Sequence, residues 1–132
     1  MRTVVAALIE EKGKLLVGQR RRSDTFALRW EFPGGKVRPA ETLQQGLERE
    51  LREELGVDSA IGAEVYRTRH RYSELSHELL LIFFAARLHG APSNLAFEQV
   101  RWVERERLRS LPFLPADQEL IIRLVAGDIT IS

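Results

Sequence analysis

The chain has 132 residues, 44% hydrophobic and 30% charged, with a formal net charge of +1 and no cysteine. That is enough chain for a proper core, so a single domain over residues 1–132 is expected. The charge balance leaves no basic footprint for long nucleic acid, the missing thiols exclude disulfides and cysteine chemistry, and no apolar run is long enough for a membrane span.

Thr3 to Ile9 is β-branched and small-apolar, which predicts a buried strand. Its apolar part, Val4–Ile9, is too short for a signal-peptide core, and Glu10-Glu11 interrupt it. A cytoplasmic location is therefore expected. Glu11 to Lys14 reads as a hairpin turn and Lys14 to Gln19 as a second strand. Arg20-Arg21-Arg22 then open a polar loop at a strand end, a place where binding groups project. Trp30 to Phe32 should be a short strand entering a Pro33-Gly34-Gly35 turn.

The next helix is well framed. Thr42 and Gln45 have capping-box spacing, Leu43, Leu47, Leu51 and Leu55 form an apolar stripe, and Gly56 stands where the helix should end. Glu48 and Arg52 are spaced for an i,i+4 pair. Glu50, Glu53 and Glu54 fall on one side of this helix. Like charges so placed weaken a bare helix, and a divalent cation offsets that repulsion. Carboxylate oxygens suit Mg²⁺ or Mn²⁺, whereas zinc favours sulfur and imidazole. An acidic solvated face is the plain alternative.

Ser59 to Tyr72 looks extended, with Arg67, Arg69 and Arg71 on one face, either solvated or walling a cleft. His70 and His77 lack metal-ligand spacing. The unbroken apolar run Leu79–Leu88 predicts a strand buried on both faces. Gln99 to Glu104 reads as the last strand, Glu104 to Leu111 as a short helical turn, and Leu114 to Val125 as a final helix stopped by Gly127. Strands around a helix, with a helix at the end, predict an α/β (α+β) sandwich, a mixed sheet between helices.

The spacing Gly35, Glu41, Arg49-Glu50-Leu51, Glu53-Glu54, Gly56-Val57 resembles the nudix box at every fixed position. The preceding Trp30-Glu31-Phe32-Pro33-Gly34-Gly35-Lys36 looks like the MutT-type version. This resemblance implies a nudix α/β/α sandwich and a Mg²⁺-dependent enzyme, Mn²⁺ being a possible substitute. The activity implied is hydrolysis of a nucleoside triphosphate to monophosphate and pyrophosphate, in nucleotide-pool sanitisation. It further implies that Gly35, Glu50, Glu53 and Glu54 ligate metal, with Arg49 and Glu41 holding the geometry. Glu50 or Glu53 is the expected general base. Arg20 matches a phosphate-binding arginine, and a guanidinium fork suits that role. Phe32 is either plain core or a wall of the base pocket.

Two positions depart from the resemblance. Relatives often carry a glutamate where this chain has Ala96; the nearest acid is Glu98. Asp117 stands where MutT has asparagine. Ionised aspartate only accepts hydrogen bonds, which suits the exocyclic amine of cytosine; protonated, it also donates, as an oxidised purine such as 8-oxo-dGTP requires. Asp117 could instead simply cap the last helix. The expected partner is thus a small nucleotide, with no long nucleic acid and no membrane, and the chain a monomer or homodimer. The alternatives are hydrolysis of another nucleoside diphosphate derivative, such as a nucleotide sugar or dinucleoside polyphosphate, and a non-catalytic nucleotide sensor, which would tolerate a decayed glutamate set.

Overall fold

The computed structural model describes residues 1–72 and 77–131. Its strands are β1 Arg2–Leu8, β2 Glu10–Glu11, β3 Lys14–Gln19, β4 Trp30–Glu31, β5 Gly34–Lys36, β6 Ser59–His70, β7 Leu79–Leu88 and β8 Gln99–Glu104. The α-helices are α1 Leu43–Leu55 and α2 Gln118–Ala126, with 3-10 segments at Arg105–Ser110 and Pro115–Asp117.

The strands form two sheets rather than the one expected. The central sheet has the order β5-β1-β7-β6 and is mixed, because β1 and β7 run parallel while β5 and β6 are antiparallel to their neighbours. The second sheet pairs β2, β4 and β8 with β3. The split falls at Ile9, between β1 and β2, where the chain leaves the central sheet and turns into the β2–β3 hairpin.

The central strands are buried on both faces. Val5 and Ala7 of β1 and Ile82 and Phe84 of β7 pack with Leu47, Leu51 and Leu55 of α1. Ala6, Leu8, Leu81 and Phe83 face the other way, into a core shared with Leu120, Ile121 and Leu124 of α2. This two-sided burial is why β7 reads as an apolar run without alternation. The three α1 leucines are fully buried, and each such side chain contributes about 1.5–3 kcal/mol relative to exposure.

Both halves of the α1 capping box are made. Gln45 N–H donates to Thr42 Oγ1 (3.0 Å), and Thr42 N–H donates to the Gln45 side chain (2.9 Å). Gly56 ends the helix in the left-handed conformation. The expected Glu48–Arg52 pair is replaced: Arg52 sits in the last turn and reaches past the cap to Asp58 (3.1 Å). The Gly34-Gly35 pair belongs to a strand, not a turn, with Gly35 opposite Val5 and Gly34 opposite Ala6. Gly34 has φ 155°, and a Cβ there would overlap the Val5 carbonyl, so β1 and β5 pair this closely only through glycine. In β6 the register slips between Ile61 and Tyr66, so the even alternation read from sequence holds only over the second half.

Candidate active site

A cavity of about 340 Å³ opens on the face of the central sheet turned away from α1. Val4, Ala6, Leu81 and Phe83 line its floor, and the glycine pair and Glu54 line one side. Asp117 and Leu114 close another side. The loop after β3 supplies Arg20 and Phe26. That loop folds back on itself: Arg20 N–H donates to the Arg29 carbonyl (2.8 Å) and Leu28 N–H to the Arg20 carbonyl (3.0 Å).

Glu50, Glu53 and Glu54 of α1 take different partners. Glu54 turns under the glycine pair, where its carboxylate accepts from Gly34 N–H (2.9 Å). Burial raises its pKa well above the usual range, and the charge of Glu31 adds to the effect. Glu50 lies over Gly35 so closely that a Cβ there would sit 2.5 Å from the carboxyl carbon. Its pKa is also raised, mainly by burial. Glu53 is more exposed and pairs with Arg38 (3.6 Å) as well as Arg49 (3.2 Å).

Arg49 is the hub. Its guanidinium donates to both oxygens of Glu41 (2.7 and 3.0 Å), to Glu50 (2.9 Å), to Glu53 (3.2 Å) and to the Lys36 carbonyl (2.9 Å). Glu41 also accepts from Arg38 N–H (2.8 Å). These bonds, the Arg49 fork foremost, lower the Glu41 pKa to about 2. Gly46 is small because Glu41 and Val37 lie across it, 3.3 Å from where a Cβ would stand. One arginine thus ties the strand carrying the glycines, the loop and the helix into one unit. Lysine cannot fork in this way. Arg49→Lys should therefore weaken magnesium affinity about 10–100-fold with the circular dichroism spectrum unchanged; titration of magnesium against turnover reads the effect.

The acids suit Mg²⁺ or Mn²⁺ chemically, as an all-oxygen set with a desolvated member. Among the described residues they do not converge into a preformed cage of three acids. Arg49 bridges Glu50 and Glu53 as a resident cation, bonding Glu50 through one carboxylate oxygen only.

The residues expected from the sequence to touch substrate lie together. Arg20 pairs with Glu31 (3.2 Å) and donates to the Thr25 carbonyl (2.6 Å) at the cavity wall. Phe32 serves both alternatives: it is buried against Phe113 (centroids 5.4 Å apart) and Phe83 (6.1 Å), and it lines the cavity. Asp117 is buried, faces the cavity and makes no side-chain cap bond. The capping alternative is thereby overturned, because the Pro115–Asp117 turn points this carboxyl inward. Burial raises its pKa well above the usual range, with a further push from Glu31. Glu98 is exposed and does not line the cavity; its N–H pairs with the Gln19 carbonyl (2.8 Å).

Glu31, Tyr72 and Phe26 are among the cavity residues that the sequence reading did not place in the site. Glu31 was visible as an acid between two aromatics, but its partner Arg20 is eleven residues away. Tyr72 accepts from Ala116 N–H (3.2 Å) beside Asp117, and its ring meets Phe26 (centroids 4.6 Å apart). Nothing local marks Phe26 or Tyr72. Glu31 and Asp117 are held together by backbone: Trp30 N–H donates to the Pro112 carbonyl (2.9 Å), and Leu114 N–H donates to the Trp30 carbonyl (3.0 Å).

The sequence matches the NUDIX domain family model over residues 1–124. It is 37% identical to a CTP pyrophosphohydrolase of Escherichia coli over 125 residues, covering 93% of this chain and 90% of that protein. It is 38% identical to an 8-oxo-dGTP diphosphatase of Haemophilus influenzae, covering 92% and 90%. Among solved structures, the E. coli ORF135 protein superposes with a TM-score of 0.83 at 35% identity, covering 97% of this chain and 91% of that one. Sequence and fold agree over nearly the whole chain, box included: this protein is a member of the NUDIX hydrolase family.

Proposed function

We propose that the protein is a magnesium-dependent, cytoplasmic pyrophosphohydrolase that converts a nucleoside triphosphate to monophosphate and pyrophosphate. The observation that carries this is the pairing of two features in one cavity. Glu54 and the glycine pair, over which Glu50 lies, form one side, and the buried Asp117 forms another. A nucleotide has a matching division, an anionic chain and a planar base. Glu50, Glu53, Glu54 and the Gly35 carbonyl would hold the metal, which supplies charge neutralisation and an acidified water when bound. Arg49 and Glu41 hold those ligands, and Arg20 faces the phosphates. Of the two candidate bases Glu50 is favoured, since its partial burial raises its pKa toward the working range.

The base read by Asp117 is cytosine or an oxidised purine, in line with the names of the relatives above. The raised pKa favours the protonated carboxyl, which both donates and accepts. Asp117→Asn makes the donor permanent and should raise the ratio of kcat/KM for 8-oxo-dGTP over CTP about tenfold, the worth of one exchanged hydrogen bond. An unchanged ranking removes Asp117 from base reading. The same variant tests the pKa direction. A raised folded pKa gives stability that is full below the unfolded pKa and lost as pH rises through the folded one. Asn has no such loss, so the variant should melt about 2–6 °C higher than wild type at neutral pH. At pH below the ordinary aspartate value the two should coincide.

A further inference from the structure

The Asp117 end of the cavity is rich in acid and apolar surface. Asp117 is buried, and no donor among the described residues bonds its carboxyl. Glu31 is taken by Arg20, whose guanidinium meets both of its oxygens (3.2 Å each). Phe26, Phe32 and Leu114 supply apolar surface. The Watson–Crick edge of cytosine or guanine presents an amine, a ring nitrogen and a carbonyl in a row, and one carboxyl pairs with two of them at most. Burying such an edge against Asp117 alone leaves a polar atom of the base without a partner, which costs affinity.

A hydroxyl stands beside that carboxyl. Tyr72 lies just beyond the end of β6, is buried and lines the cavity. Its oxygen accepts from Ala116 N–H (3.2 Å), so it sits against the turn that bears Asp117. With that acceptor role filled, the proton is left to donate, and no acceptor is bonded to it among the described residues. Burial foremost, helped by the charges of Asp117 and Glu31, pushes the phenol up to about 12, so the proton stays in place at neutral pH.

The ring that carries this donor is held on two sides. Phe26 packs on it (centroids 4.6 Å apart) and His70 meets it edge-on (4.4 Å). Phe26 has φ 58° and Leu28 φ 63°, a backbone conformation that bulky side chains rarely adopt and that concentrates at ligand sites. The Gln19 side chain donates to the Leu28 carbonyl (3.1 Å) and Arg20 Nε to the Thr25 carbonyl (2.6 Å), which keeps the loop in this shape.

We propose that Tyr72 is a specificity-determining residue that touches the base: its hydroxyl donates to an acceptor atom of the base edge, while Asp117 pairs with the neighbouring atom. This rests on the reading of the cavity as a nucleotide site and adds a second residue to its base-reading end.

Tyr72→Phe removes the hydroxyl and keeps the ring. Its kcat/KM is measured with magnesium on CTP and 8-oxo-dGTP, beside inhibition by inorganic tripolyphosphate, which has no base. On the nucleotide that wild type turns over faster, kcat/KM should fall about tenfold, chiefly through KM, while the inhibition constant moves by less than about twofold. An unchanged kcat/KM, or an equal loss toward tripolyphosphate, overturns the proposal. A residue acting only through its Ala116 bond would work by shifting Asp117, so the substitution is repeated in Asp117→Ala, which has no carboxyl to shift. A loss that persists there assigns the contact to the base; a loss that vanishes makes Tyr72 a prop for Asp117 and overturns the proposal. A further measurement needs no variant. In wild type, the resonance of the Tyr72 ring carbon that bears the hydroxyl should move on saturation with CMP or 8-oxo-dGMP and hold still with pyrophosphate. No movement with either nucleotide overturns the contact. If wild type releases no pyrophosphate from any nucleotide, the hydrolase reading has failed and this inference falls with it. Release that continues in Tyr72→Phe at the wild-type kcat/KM leaves that reading standing and removes Tyr72 alone.

Discussion

Glu53→Gln is expected to lower magnesium-dependent turnover by at least about 10²–10³-fold, the scale of losing one preorganised charge-stabilising group. The substitution is nearly isosteric and leaves α1 its apolar stripe. Glu53 is the most exposed of the three acids and contributes to no buried cluster. It shares one helical turn with Glu50 and Glu54, so neutralising it removes repulsion. The unliganded variant should therefore melt at or above the wild-type temperature. The rise in melting temperature that magnesium gives wild type should shrink, because a ligand stabilises only in proportion to its affinity. Undiminished pyrophosphate release with magnesium would sink the assignment. Lost turnover with a lowered melting temperature in the absence of metal would mean that Glu53 supports the fold instead.

The neighbouring glycines should fail in different ways. A Cβ at Gly34 meets backbone, the Val5 carbonyl and the Ala6 Cα, in a conformation that side chains rarely adopt. Gly34→Ala must separate β5 from β1, and forced overlap of this kind costs about 1–3 kcal/mol or more. It should lower the melting temperature by about 3–10 °C and reduce soluble yield. The atoms nearest a Cβ at Gly35 are those of the Glu50 carboxylate, 2.5 Å away. That carboxylate can swing aside without moving backbone. Gly35→Ala should thus keep its melting temperature within about 2 °C of wild type while losing about 10²-fold or more in kcat, since a catalytic group is displaced. Thermal melts and steady-state kinetics on the two variants decide it. Equal destabilisation of both would contradict the close approach of Glu50 to Gly35.

Much of this was legible in the chain because it is local. The α1 cap, stripe and stop lie within fifteen residues and obey the helical period, so Thr42, Gln45 and Gly56 could be assigned before any tertiary contact was known. The apolar run of β7 announced burial on both faces for the same reason. The metal-ligand candidates were legible through their spacing. Their actual partners were not: Arg49 reaches back thirteen residues to Lys36, and Glu54 reaches back twenty to Gly34. Local spacing also misled at Arg52, whose partner is Asp58 beyond the cap.

By itself, then, the sequence determined the family, the helix that bears the acids and the strands buried on both faces, since each depends on short-range periodicity or fixed spacing. Only the tertiary structure decided that Asp117 faces a cavity rather than capping a helix, and that Glu31, Phe26 and Tyr72 join it. Those facts depend on which strands pair and in what register, and pairing between distant segments is set by the packing of the whole core.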